Sequence, residues 1–292
     1  MKNTLVLLAA SALLFSCKKD SDSNPSPSPG PINSVCVLTE DRDSVGNKLN
    51  ASYEYDASRR ISKIKNYSSN GNLSGYSTLS YNGSTVILQG YNSDNTLDGT
   101  PTTVLLNSSG YAIDQKQTRP DTVDGVVGVA KDTVLLSYNS TGQMSNYSSH
   151  SWTRNSAGDI IGNSSYSITW EYSSGRVSKS TNTITQNRGT SNYSGSSTTT
   201  YTYGSNSPTV TSNPVVGLIS ISGSTLFGKL MSDKIPEKAD ISSTSSGQTT
   251  TYSSVFSTTI DSKGNPTKIR TFSDYGGGFT DLRTSLYTYS CP

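Results

Sequence analysis

Histidine is almost missing from this chain: His150 is the only one in 292 residues. A Ser-His-Asp site would have to run through that residue, which stands in SSHSW with no motif around it and reads as a surface polar position. Zinc sites need clustered cysteine and histidine, and three scattered cysteines make no such cluster. Charged residues are only 15% of the chain, Lys+Arg 23 against Asp+Glu 21. A balance so close to neutral gives no electrostatic drive toward nucleic acid. Low charge combined with 18 tyrosines also argues against disorder, which pairs high net charge with few aromatics. Phosphate-binding glycine loops need a strand, a fixed glycine spacing and a following helix; Gly276-Gly277-Gly278 has strand-like flanks and reads as a turn. No Asp-rich calcium loop is present, and Glu40 to Asp43 and Asp233 to Asp240 hold scattered carboxylates only. Hence no metal, cofactor or catalytic residue is expected. Carboxylate pairs for glycoside hydrolysis escape this filter, because their separation is a property of the fold.

Long apolar runs are missing too, and the longest at the N-terminus, Leu5 to Phe15 in MKNTLVLLAASALLFSC, falls short of the roughly 20 residues a membrane helix needs. A basic start, an apolar middle and a small-residue end are the layout of an export signal. Leu14-Phe15-Ser16-Cys17 resembles the lipobox of bacterial lipoproteins, which implies cleavage before Cys17 and acylation of its thiol. Two or more acyl chains give firm anchoring, each buried methylene contributing about 0.8 kcal/mol. Residues 1–16 then form the signal, and residues 17–33 a Ser/Pro-rich tether, extended and semi-rigid because of its prolines. Lys18, Lys19, Asp20 and Asp22 loosely resemble the cluster that accompanies surface export in lipoproteins of the Bacteroidota, so surface and periplasmic display both stay open. With Cys17 acylated, Cys36 and Cys291 remain. An exported chain occupies a disulfide-permissive compartment, and the even remainder suggests a bridge between them.

What is abundant is Thr, Tyr, Ser, Asn and Gly, which suit pleated strands and the turns between them. One order of residues recurs: an alternating run, Asn or Asp, two small or polar residues, Gly, and a second alternating run. It appears in VLLNSSGYAI, LSYNSTGQM, WTRNSAGDI and TTIDSKGNP, and in shorter form in WEYSSGRV. The order is that of a hairpin. The Asn or Asp side chain caps the turn, and a glycine three residues on supplies the positive φ that follows a type I turn. Asp56, Asn107, Asn139, Asn155 and Asp261 are the expected turn caps. Tyr53/Tyr55, Tyr201/Tyr203 and Tyr287/Tyr289 stand two apart and so share a face.

YEYDASRRI (Tyr53 to Ile61) resembles the YD repeat of Rhs-type proteins, Tyr-x-Tyr-Asp-x-x-Gly-Arg-Leu/Ile, with Arg59 where the glycine would be. More broadly, the chain is similar to a Bacteroidota family of YD-repeat lipoproteins of unassigned activity. The likeness rests on the order of lipobox, linker, Cys36-Val37-Leu38-Thr39, YD-like hairpins, and a Tyr287-to-Cys291 finish, and covers most of residues 36–291. A non-repetitive stretch resembling LFGKLMSDKIPEKA (Leu226 to Ala239) belongs to the same pattern. The resemblance implies architecture and no chemistry.

The expected fold is all-β: one domain over residues 34–292, an antiparallel meander of about a dozen strands, curled or barrel-like. Residues 214–240 interrupt the rhythm. Leu226, Phe227, Leu230 and Met231 share a helical face, so a short helix is expected around 225–235, stopped by Pro236. Arg119 to Asp132 reads as a longer loop. Trp152, Trp170 and surface tyrosines could stack on sugar rings, but the preferred reading is cross-strand pairs within the sheet. The expected role is a lipid-anchored envelope module that binds or scaffolds, touching the membrane through its lipid and taking a glycan or an envelope protein as partner. A glycan hydrolase is the alternative, recognisable by two or three converging carboxylates in a concave site. An Rhs-like shell fragment would need more repeats than this length holds.

Overall fold

The computed structural model describes residues 36–209 and 233–291. Among these, sixteen antiparallel strands close into a barrel in which each strand pairs with its sequence neighbours and the first pairs with the last. The first eight are β1 (Val37–Asp43), β2 (Lys48–Tyr55), β3 (Ile61–Tyr67), β4 (Leu73–Asn82), β5 (Thr85–Asn92), β6 (Leu97–Leu106), β7 (Ala112–Val123) and β8 (Val126–Tyr138). The rest are β9 (Met144–Asn155), β10 (Ile160–Ser173), β11 (Arg176–Arg188), β12 (Ser191–Thr202), β13 (Lys238–Ser245), β14 (Gln248–Ile260), β15 (Pro266–Asp274) and β16 (Thr280–Ser290). The sheet is therefore closed, and it holds more strands than the dozen expected. Closure is the physical answer to edge strands, since no row of unpaired backbone groups is left to recruit another chain.

The seam runs from Val37↔Ser290 to Asp43↔Ser285, and Cys36 is bonded to Cys291 beside it, across a sequence separation of 255 residues. In the chain-entropy account a crosslink over so long a loop contributes up to about 5 kcal/mol. Both ends of the barrel chain thus meet at one rim, here the proximal rim, together with the turns that lead from even to odd strands. The opposite rim is the distal one.

Turn chemistry follows the sequence pattern closely. Asp56 Oδ1 accepts from the backbone N–H of Ser58 and Arg60, both at 2.9 Å. Asn107, Asn139, Asn155 and Asp261 repeat this arrangement with the residues two and four positions on. Asn155 sits on the distal rim, the other four on the proximal one. Ser68 and Asn92 open two further turns with the same backbone bonds; the pattern hid them because serine replaces the cap in one and Asn95, at φ 68°, replaces glycine in the other.

The tyrosine that ends an even strand has a second job. Tyr55, Tyr81 and Tyr138 donate their hydroxyls to the carbonyls of Leu38, Ile61 and Ala112, at 2.5, 3.0 and 2.7 Å, and Tyr172 does the same to Met144. Each bond ties the end of one strand to the start of the strand before it. Burial pushes these phenols up, Tyr81 to about 12.

Inside, Leu79, Val86, Val104, Leu106, Val134, Leu136, Met144, Ile168, Trp170 and Val177 pack as one buried cluster drawn from β4 to β11. Full burial of a Val or Leu contributes roughly 1.5–3 kcal/mol. The interior between β12 and β2 is more polar. There Asp41 and Tyr287 face inward from paired positions; burial raises the Asp41 carboxyl and pushes Tyr287 up to about 12.

Two expectations change. Arg119 to Asp132 is no loop: it is the far half of the β7–β8 hairpin, turning at Asp124-Gly125 with φ 47° and 81°. Both values are positive, as the tight hairpin turn that favours Asp-Gly requires. Pro120 is tolerated because β7 there extends past its pairing with β6, which ends at Lys116. The helix expected around 225–235 falls largely outside the described residues. Its described end, Asp233 to Ile235, is not helical: Asp233 sits in a bend and Lys234 is bridged to Thr209. Pro236 disfavours a helical Ile235, and Ile235 is instead buried against Ile269. No α-helix occurs among the described residues; a 3-10 turn at Val45–Asn47 is the sole helical element there.

Candidate functional site: a groove on the outer wall

The pleat assigns alternate residues to the two faces of the wall. On β9 the outward set is Asn146, Ser148, His150, Trp152 and Arg154, since Tyr147 and Thr153 are buried. Cross-strand registers carry this set round the barrel: Ser148 pairs with Ser167, Ser167 with Thr183, and Thr183 with Ser196. The row through His150 continues as Ser165, Thr185 and Ser194. Hydroxyls within these rows meet each other, Ser165 with Thr185 and Ser167 with Thr183, both at 2.6 Å. Elsewhere the same face holds exposed ion pairs such as Glu54–Lys65 and Glu171–Lys179.

Apolar side chains reach the surface at several places, among them Leu105, Leu135, Phe279 and Leu282, and one distal patch of them is concave. Val127, Val129, Trp152 and Ile160 are 72, 48, 40 and 49% exposed. The register places Lys131 beside Trp152 and Val129 beside Arg154, and Ile160 opens β10 opposite Arg154. With Asn155, Ser156 and Gly158 of the following turn they line a concavity of about 590 Å³. The volume lies within the ordinary range for small-ligand sites, and clustered exposed apolar residues, unlike single ones, mark recognition surfaces. Trp152 also stacks on His150, ring centres 5.9 Å apart. The close approach of strands matters here: a Cβ on Gly128 would lie 2.5 Å from the Arg154 carbonyl oxygen.

The floor behind the groove is braced from within. Asp121 on β7 accepts two bonds from Arg188 on β11, both at 2.9 Å, and one from Thr153. Burial opposes its charge, but Arg188 and Thr153 outweigh that and bring the carboxyl down to about 2. Beyond it, Asp124 accepts from the Thr190 N–H at 2.7 Å. Gly189 has to be glycine there, since its φ is +56° and a Cβ would stand 1.8 Å from Asp124 Oδ2. So the β7–β8 tip leans across two strands and is clasped to the β11–β12 turn.

Cys17 lies outside the described residues. Cys36 and Cys291 meet at the seam. Asp56, Asn107, Asn139 and Asp261 serve proximal turns far from the groove, whereas Asn155 both caps its turn and lines the groove. The two tryptophans part company: Trp170 is core at 7% exposure, Trp152 is surface. Cross-strand aromatic pairing does occur, as in Tyr76–Tyr91 with ring centres 4.8 Å apart. Two carboxylates also converge, Asp121 and Asp132 around Arg119. Asp121 is held as an ion by Arg188 and Thr153, and so depressed a carboxyl is a poor proton donor at neutral pH; Asp132 pairs with Arg119 at 2.9 Å, and neither lines the groove. Lys131, Val127 and Val129 were missed because their segment reads as loop; the Val-Val-Gly-Val alternation after Asp124-Gly125 was the available signal.

No helix among the described residues is long and apolar enough to cross a membrane. No family model matches the chain, and no curated protein does. Among solved structures, the chain is similar to a porin-like protein from Bacteroides vulgatus, with 17% identity, 88% of this chain and 99% of that one covered, and a TM-score of 0.59. A porin-like protein from Bacteroides uniformis gives 19% identity, 91% and 100% coverage, and a TM-score of 0.53. At this level of identity the likeness is one of fold: a closed β-barrel.

Proposed function

We propose that this protein is a binding module of the cell envelope, held to the outer membrane by a lipid on Cys17, with its barrel standing in water. The observation that carries this reading is the outer wall. A barrel that spans a membrane presents lipid with an apolar band about 25 Å tall, edged by aromatic girdles. Here the outward rows of β9 to β12 are Ser, Thr, Asn, His and paired charges, exposed Leu105 and Leu135 share their row with Asp114, Ser148 and Ser167, and the buried apolar cluster lies inside. Polar groups facing hydrocarbon without partners cost several kcal/mol each. The neighbours' description as porin-like would suggest a pore through the membrane; the wall favours a barrel beside it.

The proximal rim receives the chain from the tether, so the distal rim and its groove point away from an anchoring membrane. The barrel then acts as a stiff stand. Membership in the YD-repeat lipoprotein family, with a signal at residues 1–16 and a tether at 17–33, is part of the same proposal.

All barrel strands lie between Val37 and Ser290, so residues 18–292 retain the whole barrel. Expressed without lipid, they are expected to run as a folded monomer in detergent-free buffer by size-exclusion chromatography. Precipitation that only detergent relieves would show that the wall faces lipid. In cells, palmitate labelling should vanish in Cys17→Ala; label that persists removes the anchor.

A further inference from the structure

Resting on the reading of the groove as a binding site, we infer that its ligand is a saccharide bearing an acid group, a carboxylate or a sulfate. Trp152 supplies a flat amphipathic face of the kind on which sugar rings stack. Val127, Val129 and Ile160 supply the apolar walls, and Asn155 and Ser156 supply polar atoms at one end. The groove holds two cations, Lys131 and Arg154, and no carboxylate is among its lining residues. Arg154 spends one N–H on the Gly158 carbonyl, at 2.6 Å. Asp159, the acid of the neighbouring turn, is turned to Asn155 at 3.1 Å. Lys131 is exposed and sits directly across the strand pair from Trp152, and among the described residues it has no ion-pair partner. Elsewhere on the outer wall Lys65 and Lys179 pair with Glu54 and Glu171.

Charge complementarity therefore selects the ligand. A neutral sugar laid on Trp152 would strip water from the Lys131 ammonium and return only a hydroxyl acceptor, whereas an anionic substituent would return an ion pair as well as the hydrogen bond. A protein partner fits less well, because specific interfaces take about 800 Å² from each side and the outward row next to the groove is His150, Ser165 and Thr185. A lipid headgroup is disfavoured by position, the groove lying at the rim opposite the chain's entry.

The test is calorimetric titration of residues 18–292 with tri-galacturonate, a chondroitin sulfate disaccharide and maltotriose. Expected is binding of at least one acidic probe, weakened by salt, with little or none of maltotriose. Lys131→Gln should lower acidic-probe affinity about tenfold or more, and Trp152→Ala should abolish it, with circular dichroism unchanged in both. Which acidic probe binds tells carboxylate from sulfate. Equal affinity for acidic and neutral probes, lost in Trp152→Ala, would overturn the acid inference while leaving the groove a binding site. So would a photo-crosslinker placed at residue 152 that captures a defined envelope protein while no sugar binds. Silence in every arm would overturn both readings.

Discussion

Trp170 and Trp152 stand on adjacent strands of one barrel and do opposite things. Trp170 points inward and keeps 7% of its surface, packed among Ile168, Val177 and Leu136; Trp152 points outward and keeps 40%, beside Lys131 in the groove. Leu136 and Leu135 repeat the contrast one bond apart, at 5% and 45%. Residue type is the same in each pair, so the pleat alone decides whether a side chain holds the barrel together or is left free to meet a partner. The largest expected effect follows. Trp170→Ala should cost about 3–5 kcal/mol, the range for deleting a buried aromatic. Trp152→Ala should stay within about 0.5 kcal/mol, as surface substitutions do. Urea unfolding of both variants measures the difference; equal losses would mean that Trp152 is structural and that the groove is not a free surface.

Ion pairs sharpen the same comparison at a smaller scale. Inside, Asp121 accepts two bonds from Arg188 and one from Thr153; outside, Glu54 meets Lys65 at 2.6 Å with half its side chain in solvent. Asp121→Asn should cost about 2 kcal/mol at neutral pH, in the range of hydrogen bonds to charged groups, while Glu54→Gln should be near neutral and sensitive to salt. The acid dependence has a definite sign. The folded pKa of Asp121, about 2, lies below the roughly 3.9 of an unfolded aspartate. Its contribution is therefore full above about pH 4 and is lost as pH falls through about 2. Urea midpoints measured between pH 6 and pH 2.5 should fall less steeply in Asp121→Asn than in the wild type. Parallel slopes would remove the clasp from the account of acid stability.

The hairpins were legible because their signal is local: an Asx side chain binds two backbone N–H groups two and four residues on, and a glycine follows at a fixed offset. Asp56, Asn107, Asn139, Asn155 and Asp261 could be read that way one at a time. Closure could not, since Val37↔Ser290 joins residues from the two ends of the chain and no short window contains both. Nor could the face of a given strand. In Ser-Thr strands such as β11 and β12 both faces are polar, and alternation carries no sign of which side is in. The hairpin at Asp124-Gly125 was missed for another reason, because Pro120 argues against a strand unless it is known that β6 stops short of it. The groove inherits that miss: four of its lining residues, Val127, Gly128, Val129 and Lys131, belong to the hairpin, and the clasp that supports it links positions 66 and 67 residues apart.

Arg59 gives a small effect and the finest test of the turn chemistry. It stands where the other copies carry glycine, and it takes glycine's conformation, φ 59° against 78° to 90° at Gly110, Gly142, Gly158 and Gly264. A left-handed backbone costs an L-residue roughly 1–2 kcal/mol. Its guanidinium reaches the Ser290 carbonyl at 3.3 Å, so the side chain returns part of that cost by tying this turn to the seam. Arg59→Gly removes the strain, loses an exposed bond, and gives the unfolded chain more freedom, an effect of about 0.4–1 kcal/mol. The net expectation is a gain of about 0.5 kcal/mol. Arg59→Ala keeps the strain and loses the bond, so it should be less stable than the wild type and about 1 kcal/mol below Arg59→Gly. If chemical denaturation ranks alanine at or above glycine, the backbone conformation is not what sets this position, and the contact across the seam has to be.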